Sequence, residues 1–372
     1  MKKIIAVDFY DLVWKQEKPF SREDMDALFA RYKEWHVDAV LWRLSACGKL
    51  LYHSNTPDRY SGCPAETALS KRMLAVMADY DPAELAVSMG RKHGIGVYFW
   101  LTLFDDAGYT EKEGMESSIS KAHPEYSWRE IDGKSHYRGV LSYVYPEVVD
   151  FRLRQIGEIL TYGADGLYLC NRSHSRSQVI REAMAAATQK GEDGVGEWCR
   201  NNIELLKSEF KRCRGRFGYD PPALETYNGD LDEVERWQRH RGGYFTAFME
   251  KVRRINPGET WFGLRYGANL GPYIYGDHFF DWEKLSSGSI VDALAYDLQP
   301  PDFDSPQLFP EFYGQTKSMK LLWMHLSANP KATLNAYADS LARWRPFLDG
   351  IIMFEAYMMT DNPEYGEFLR NF

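Results

Sequence analysis

The stretch Asp165-Gly166-Leu167-Tyr168-Leu169-Cys170-Asn171-Arg172 has the form of one short barrel strand. It opens on a turn-forming Asp-Gly pair, runs through bulky apolar residues and stops in polar ones. Three other stretches begin the same way. Asp38-Ala-Val-Leu-Trp-Arg43, Asp292-Ala-Leu-Ala-Tyr-Asp297 and Asp349-Gly-Ile-Ile-Met-Phe354 each start with Asp and a small residue, continue apolar and end five residues on. Four such copies at wide spacing predict a repeated βα unit.

Between and around these copies the chain alternates short β-rich runs with amphipathic helical patterns, as parallel βα units require. The expected strands are Ile4–Phe9, Asp38–Leu44, Ile95–Phe104, the opening stretch, Trp261–Tyr266, Val291–Leu298, Lys320–Leu326 and Gly350–Ala356. Helices are expected over Ser21–Glu34, Pro82–Lys92, Pro146–Tyr162, Tyr244–Ile255 and Lys331–Trp344. Ser21 followed by Asp24 has the spacing of a helix-capping start. Eight βα units predict an α/β fold of the (β/α)8 TIM-barrel type, a single domain over residues 1–372, with its site at the C-terminal ends of the strands. The competing architecture is an open doubly wound sheet, but no Gly-x-Gly-x-x-Gly loop follows the first strand.

Composition limits the function. Among 372 residues, 53 acidic side chains outnumber 45 basic ones, and no Lys/Arg run interrupts the acidic balance, so no nucleic-acid partner is expected. Apolar runs stop short of the roughly 18 residues a membrane span needs, so no membrane partner is expected either. The five cysteines form no Cys-x-x-Cys pair, which suits reduced thiols. Asp8 and Asp11 end the first apolar run too early for a signal peptide. A cytoplasmic location follows, unless a leader was removed, in which case the protein is secreted or periplasmic.

Long connections after strands two, three and four, at 45–80, 105–145 and 171–241, are rich in Gly, Pro, charge and aromatic residues. They hold Tyr52, Tyr60, Tyr109, Tyr126, Trp128, Tyr137, Tyr143 and Tyr145. Rings that stack on sugar faces, beside polar groups that bind hydroxyls, fit a carbohydrate cleft; loop packing is the plainer use of the same rings.

Several blocks resemble a known family. His123-Pro-Glu-Tyr-Ser-Trp-Arg-Glu-Ile-Asp-Gly-Lys134, Tyr145-Pro-Glu-Val-Val-Asp150 and Gly163-Ala-Asp-Gly-Leu-Tyr168 are similar, in order and spacing, to motifs of the glycoside hydrolase-like "family 10 glycosylhydrolase" proteins. Phe217-Gly-Tyr-Asp-Pro221, Arg236-Trp-Gln-Arg-His-Arg-Gly-Gly-Tyr244 and Asp281-Trp282 resemble that family's downstream blocks. The resemblance spans roughly residues 90 to 300 and implies a TIM-barrel enzyme acting on glycosidic bonds with catalytic carboxylates at strand ends. It also implies an Asp-Asp pair at the end of strand four, where this chain has Cys170 and Asn171. A strand-four carboxylate nucleophile is therefore absent.

Strand parity indicates where other carboxylates lie, because side chains alternate between barrel interior and helix layer. Counting from the initial Asp makes Arg43, Cys170, Asp297 and Phe354 equivalent. Asp297 then takes the inner-rim position, Glu355 follows at the end of strand eight, and Asp8 ends strand one. These three are the catalytic candidates, Asp297 with Glu355 first; capping or pairing with a rim arginine is the alternative for each. Asp105 and Asp106 end strand three, and Glu225 lies in the long loop after strand four.

Arg43, Arg172 and Arg265 at strand ends suggest either a pocket for a uronic or sulfated sugar or neutralisation of the rim carboxylates. Trp100, Asn171, Tyr266 and His325 complete the expected substrate-binding set. Cys170 has no His fixed beside it by sequence and reads as a buried thiol. No metal-binding spacing or cofactor motif occurs, so neither a metal nor a cofactor is expected. Two functions follow: a glycoside hydrolase acting on an oligosaccharide or glycoside, or a sugar-binding barrel that has lost hydrolysis. The clustered loops leave room for a second copy, as a homo-oligomer, to complete the cleft.

Overall fold

The computed structural model describes residues 1–64, 67–107, 114–171, 186, 201–202, 218–265, 273–274, 278–279, 281–287, 289–297 and 317–372. Eight parallel strands close into a barrel: β1 (Lys2–Val7), β2 (Ala39–Arg43), β3 (Gly96–Thr102), β4 (Gly166–Cys170), β5 (Glu259–Arg265), β6 (Ala293–Asp297), β7 (Met319–His325) and β8 (Gly350–Phe354). Each strand pairs with its sequence neighbours, and β8 pairs with β1 to close the ring. This is a (β/α)8 TIM barrel, and every strand falls within two residues of its expected bounds.

The four-copy pattern has a physical cause. Each initial Asp carboxylate accepts the backbone N–H of the preceding odd strand: Lys3 on Asp38 at 2.7 Å, and Val97 on Asp165, Thr260 on Asp292 and Lys320 on Asp349 at 2.8 Å each. The backbone N–H of each Asp returns a bond to the carbonyl of that same residue, at 2.7 to 2.9 Å. Its carbonyl then accepts from the strand that follows, through Gly96, Glu259, Met319 and Lys2. One Asp thus stitches three strands at the N-terminal end of the barrel, four times round the ring. A small residue follows because the next position faces a crowded interior; a Cβ on Gly166 would lie 2.3 Å from the Glu259 carbonyl.

The barrel interior is filled by large rings set among small residues. Trp100, Tyr168, Trp323 and Phe354 form one packed group, with Trp100 edge-on to Trp323 at 5.4 Å and Tyr168 stacked on Trp323 at 5.7 Å. Below them Tyr98 stacks on Trp261 at 3.8 Å, and both donate to the Glu259 carboxylate. Ala6, Ala39, Ala293, Ala295 and Gly263 give these rings their space; a Cβ on Gly263 would meet the Tyr168 hydroxyl at 2.0 Å.

The helical layer follows the sequence closely. Ser21 caps Arg22–Glu34 in a reciprocal capping box with Asp24. The helix Val234–Ile255 starts ten residues before the expected Tyr244. Gly242 and Gly243 weaken it by roughly 1 kcal/mol each, but it is anchored on both sides. Trp237 is fully buried against Tyr219 upstream, and Phe248, Met249 and Val252 are buried downstream.

The connections after β2, β3 and β4 carry structure of their own. They include the hairpin Ser45–Ala46 with Lys49–Leu50, the helix Thr67–Asp79, the hairpin Ser127–Arg129 with His136–Leu141, and the helix Pro221–Thr226. Among the described residues, no helix is long and apolar enough to cross a membrane.

Candidate active site

Parity in the barrel agrees with the count from the initial Asp. Cys170 and Phe354 are interior residues of the same register class as Ala39, Leu41, Ala293 and Ala295. Asp8 after β1, Arg43 on β2, Thr102 on β3 and His325 on β7 continue the same inward parity, Arg43 at the same count from its Asp as Cys170 and Phe354. Asp297 on β6 holds the same register position, paired across the sheet with Arg265 and Trp323. The backbone positions of Asp297 and Arg265 are described, whereas their side chains, and Arg172 and Tyr266 altogether, lie outside the described residues.

Arg43 draws the β1–β3 side of the rim together. Its Nη1 donates to Asp8 Oδ2, its Nη2 reaches Asp105 Oδ2 at 3.4 Å, and its guanidinium carbon lies 5.2 Å from the Trp100 ring centroid. Arg43, Asp8 and Asp105 are only 4%, 4% and 1% exposed. Burial disfavours the Arg43 charge, but the Coulombic fields of Asp8 and Asp105 outweigh it and hold the guanidinium above its usual range. The neutralising role of Arg43 is therefore the one formed here. Asp8 also accepts the Tyr10 N–H at 3.2 Å as the cap of the helix Phe9–Lys15.

A second buried pair lies beside the first. Arg152 donates to Asp106, and its guanidinium also reaches the Leu103 carbonyl at 3.3 Å. Burial pushes Asp106 up to about 6, although Arg152 pulls the other way. Asp220 is likewise raised by burial, while the Ser142 hydroxyl at 2.6 Å and the Arg129 N–H at 2.9 Å oppose the shift.

The β4 end is occupied by Cys170 and Asn171. The Trp100 indole N–H donates to Cys170 Sγ at 3.1 Å, and the Asn171 N–H donates to the Gly263 carbonyl at 3.2 Å; both residues are buried. On the opposite side His325 is half-buried, its ring edge-on to Phe354 at 5.6 Å, and its backbone N–H donates to the Tyr337 hydroxyl. Trp323, 3% exposed, keeps an indole N–H with no hydrogen-bond partner among the described residues. Glu355 follows Phe354 through a cis peptide bond and is half-buried; burial, with the Glu355 charge, holds the Tyr357 hydroxyl above its usual range. Glu225 is exposed on the helix Pro221–Thr226.

Sequence reading placed Asp105 and Asp106 at a strand end without giving them partners. It missed Tyr357, whose signal was its position two residues after Glu355. Arg152 gave no signal, because it lies within an apolar helical pattern. Among the described residues, no group of three or more His, Cys, Asp or Glu side chains is arranged to hold a metal.

No protein-family model matches the chain, and no curated protein matches it in sequence. Solved structures do match. The α-L-fucosidase isoenzyme 2 of Paenibacillus thiaminolyticus aligns with a TM-score of 0.52 at 12% identity, over 100% of this chain and 48% of that one. The endo-1,4-β-mannanase of Rhizomucor miehei gives 0.51 at 10%, over 100% and 95%. The β-amylase catalytic domain of Paenibacillus polymyxa gives 0.50 at 8%, over 100% and 98%. The chain spans about half the length of the fucosidase. At such identities the likeness is one of fold, a TIM barrel shared with these glycosidases, and the particular family suggested by the sequence blocks has no matching model.

Proposed function

We propose that this protein is a glycoside hydrolase, related to the "family 10 glycosylhydrolase" barrels, that cleaves an oligosaccharide or glycoside with Glu355 and Asp297 as its carboxylate pair. The observation that carries this reading is the difference in burial around the rim. Asp8 and Asp105 are buried against Arg43 and Asp106 against Arg152, whereas Glu355 is half-buried. On this reading Asp8 serves in the rim network, and Glu355 with Asp297 supplies the chemistry.

These strands are separated only by β7. Asp297 is level with Ile352, so two strand spacings of about 4.8 Å across and three residues of about 3.3 Å along separate the two backbone positions by roughly 14 Å, and the two side chains would have to reach toward each other to work at about 5–10 Å. One would protonate the glycosidic oxygen; the other would attack the anomeric carbon or activate a water. The Trp323 indole N–H is a buried donor for a sugar hydroxyl, and Phe354 and Trp100 supply the apolar floor. With Arg43 already paired, recognition of a uronic or sulfated ring falls to Arg172 and Arg265, while Asn171, Tyr266 and His325 remain candidates for hydroxyl contacts.

The test is release of reducing ends from neutral, uronic and sulfated glycosides by the wild type, Glu355→Gln and Asp297→Asn. Each variant is expected to lose at least about 100-fold in kcat, the lower range for a general acid or base. Cleavage that survives both substitutions would sink the assignment. A non-hydrolytic sugar-binding barrel is the second reading, favoured by Cys170 and Asn171 at the β4 end; binding without cleavage by any form is its expected result.

A further inference from the structure

The β8–β1 edge of the mouth carries a groove outside the candidate pair. The helix Phe9–Lys15 begins directly after Asp8, and the helix Ala356–Asp361 begins directly after Glu355, on two strands that pair with each other. Between the helices lies a cavity of about 300 Å³ lined by Leu12, Lys15, Gln16, Tyr357, Thr360 and Asp361. That volume is at the lower end of the roughly 300–1,000 Å³ range in which small ligands bind.

Trp14 borders it with 54% of its surface exposed, its ring edge-on to Tyr357 at a centroid distance of 6.3 Å. Its backbone is fixed, because Arg72 donates to the Val13 and Trp14 carbonyls at 3.2 Å each. A single exposed Trp is ordinary on a protein surface. A held one, at the lip of a polar cavity that shares a wall with a candidate catalytic residue, is a different arrangement. Tyr357 is that shared wall: it stands two residues after Glu355, whose charge adds to burial in holding the phenol above its usual range, and its side chain lines the cavity.

We propose that this groove is a saccharide subsite for a neutral pyranose ring, continuing the cleft outward from Glu355, with Trp14 as the platform on which the ring stacks. The proposal rests on the glycoside hydrolase reading for its place along a substrate, but not for its chemistry. Lys15 Nζ lies 3.7 Å from Asp361 Oδ2 and 5.6 Å from the Tyr357 ring centroid. An ammonium that donates beside a carboxylate that accepts matches adjacent sugar hydroxyls, which do both. Gln16 and Thr360 add an amide and a hydroxyl. The opposite charges balance, so an uncharged ring fits better than a uronic or cationic one, and the rings offer the apolar surface that a pyranose C–H face covers.

The test measures binding of short and long neutral oligosaccharides to the full chain by calorimetry, with Glu355→Gln as the non-cleaving background. Trp14→Ala is expected to weaken binding of the long ligand about tenfold, the size of one lost stacking contact. Asp361→Asn should weaken it several-fold, and Trp14→Phe should recover most of the loss. Where a substrate is cleaved, the ratio of kcat/KM for long over short chains should fall by the same factor in Trp14→Ala. Cleavage with an unchanged ratio in that variant removes the subsite and leaves the hydrolase. Binding that Trp14→Ala abolishes, with no cleavage by any form, keeps the subsite and removes the hydrolase. A wild type that binds no neutral saccharide overturns the subsite.

Discussion

Replacing Arg43 by Met should be among the most destabilising single changes in the barrel rim. Met has similar length and no charge, so the substitution leaves the packing against Trp100 largely filled and strands Asp8 and Asp105 as buried carboxylates. Both are almost inaccessible, at 4% and 1% exposure, and Arg43 contacts each of them. Removing one partner of a buried ion pair costs about 3–5 kcal/mol, chiefly through the charge left behind. Urea unfolding at neutral pH, followed by tryptophan fluorescence, reads this as a lower midpoint. The decisive comparison is a double-mutant cycle. Asp8→Asn destabilises the wild type, but in the Arg43→Met background it removes a stranded charge and should cost little or restore stability, a coupling on the order of 1–3 kcal/mol. Independent effects, or an Arg43→Met variant within about 1 kcal/mol of wild type, would refute the view that Arg43 is there to neutralise the rim and would return Asp8 to the catalytic candidates.

Two further outcomes follow from the same geometry. Asp106 is raised to about 6 in the folded chain, from its ordinary value of 3.8, so between these pH values the native state keeps a proton that the unfolded state has lost. Stability from this group is therefore present at pH 4 and declines as pH rises through 6, a loss on the order of 2–3 kcal/mol. The advantage of wild type over Asp106→Asn in urea midpoint should shrink across that window, and an advantage that grows would contradict the assignment. At the other end of the barrel, Asp165→Ala removes the acceptor of the Val97 N–H and should cost about 1–2 kcal/mol in unfolding free energy. It lies far from the mouth, so kcat should hold; a fall in kcat with stability intact would contradict its purely structural role.

The fold was legible because parallel barrels repeat. The Asp that begins each even strand recurs four times, since each one bridges its two neighbouring strands in the same way, and an interaction made four times leaves a pattern in one sequence. The capping of Arg22–Glu34 was legible for a related reason, as both partners lie within four residues. The start of Val234–Ile255 was not, because burial of Trp237 against Tyr219 outweighs the glycine pair inside the helix.

The rim was legible only in part. Parity set Arg43, Cys170, Asp297 and Phe354 at equivalent inward positions, because alternation is a local property of a strand. What each rim group is paired with is not local. Arg43 meets Asp105 from 62 residues away, and Arg152 meets Asp106 from 46. The groove beside Glu355 joins residues near the two ends of the chain, Trp14 and Lys15 with Tyr357 and Asp361. The sequence by itself determined the strands, their order round the barrel and which carboxylates reach its C-terminal end, since these follow from period, spacing and repeated backbone contacts. Only the tertiary structure decided which arginine each buried carboxylate meets, Arg43 for Asp8 and Asp105 and Arg152 for Asp106, because desolvation and ion pairing depend on elements that meet only when the barrel closes.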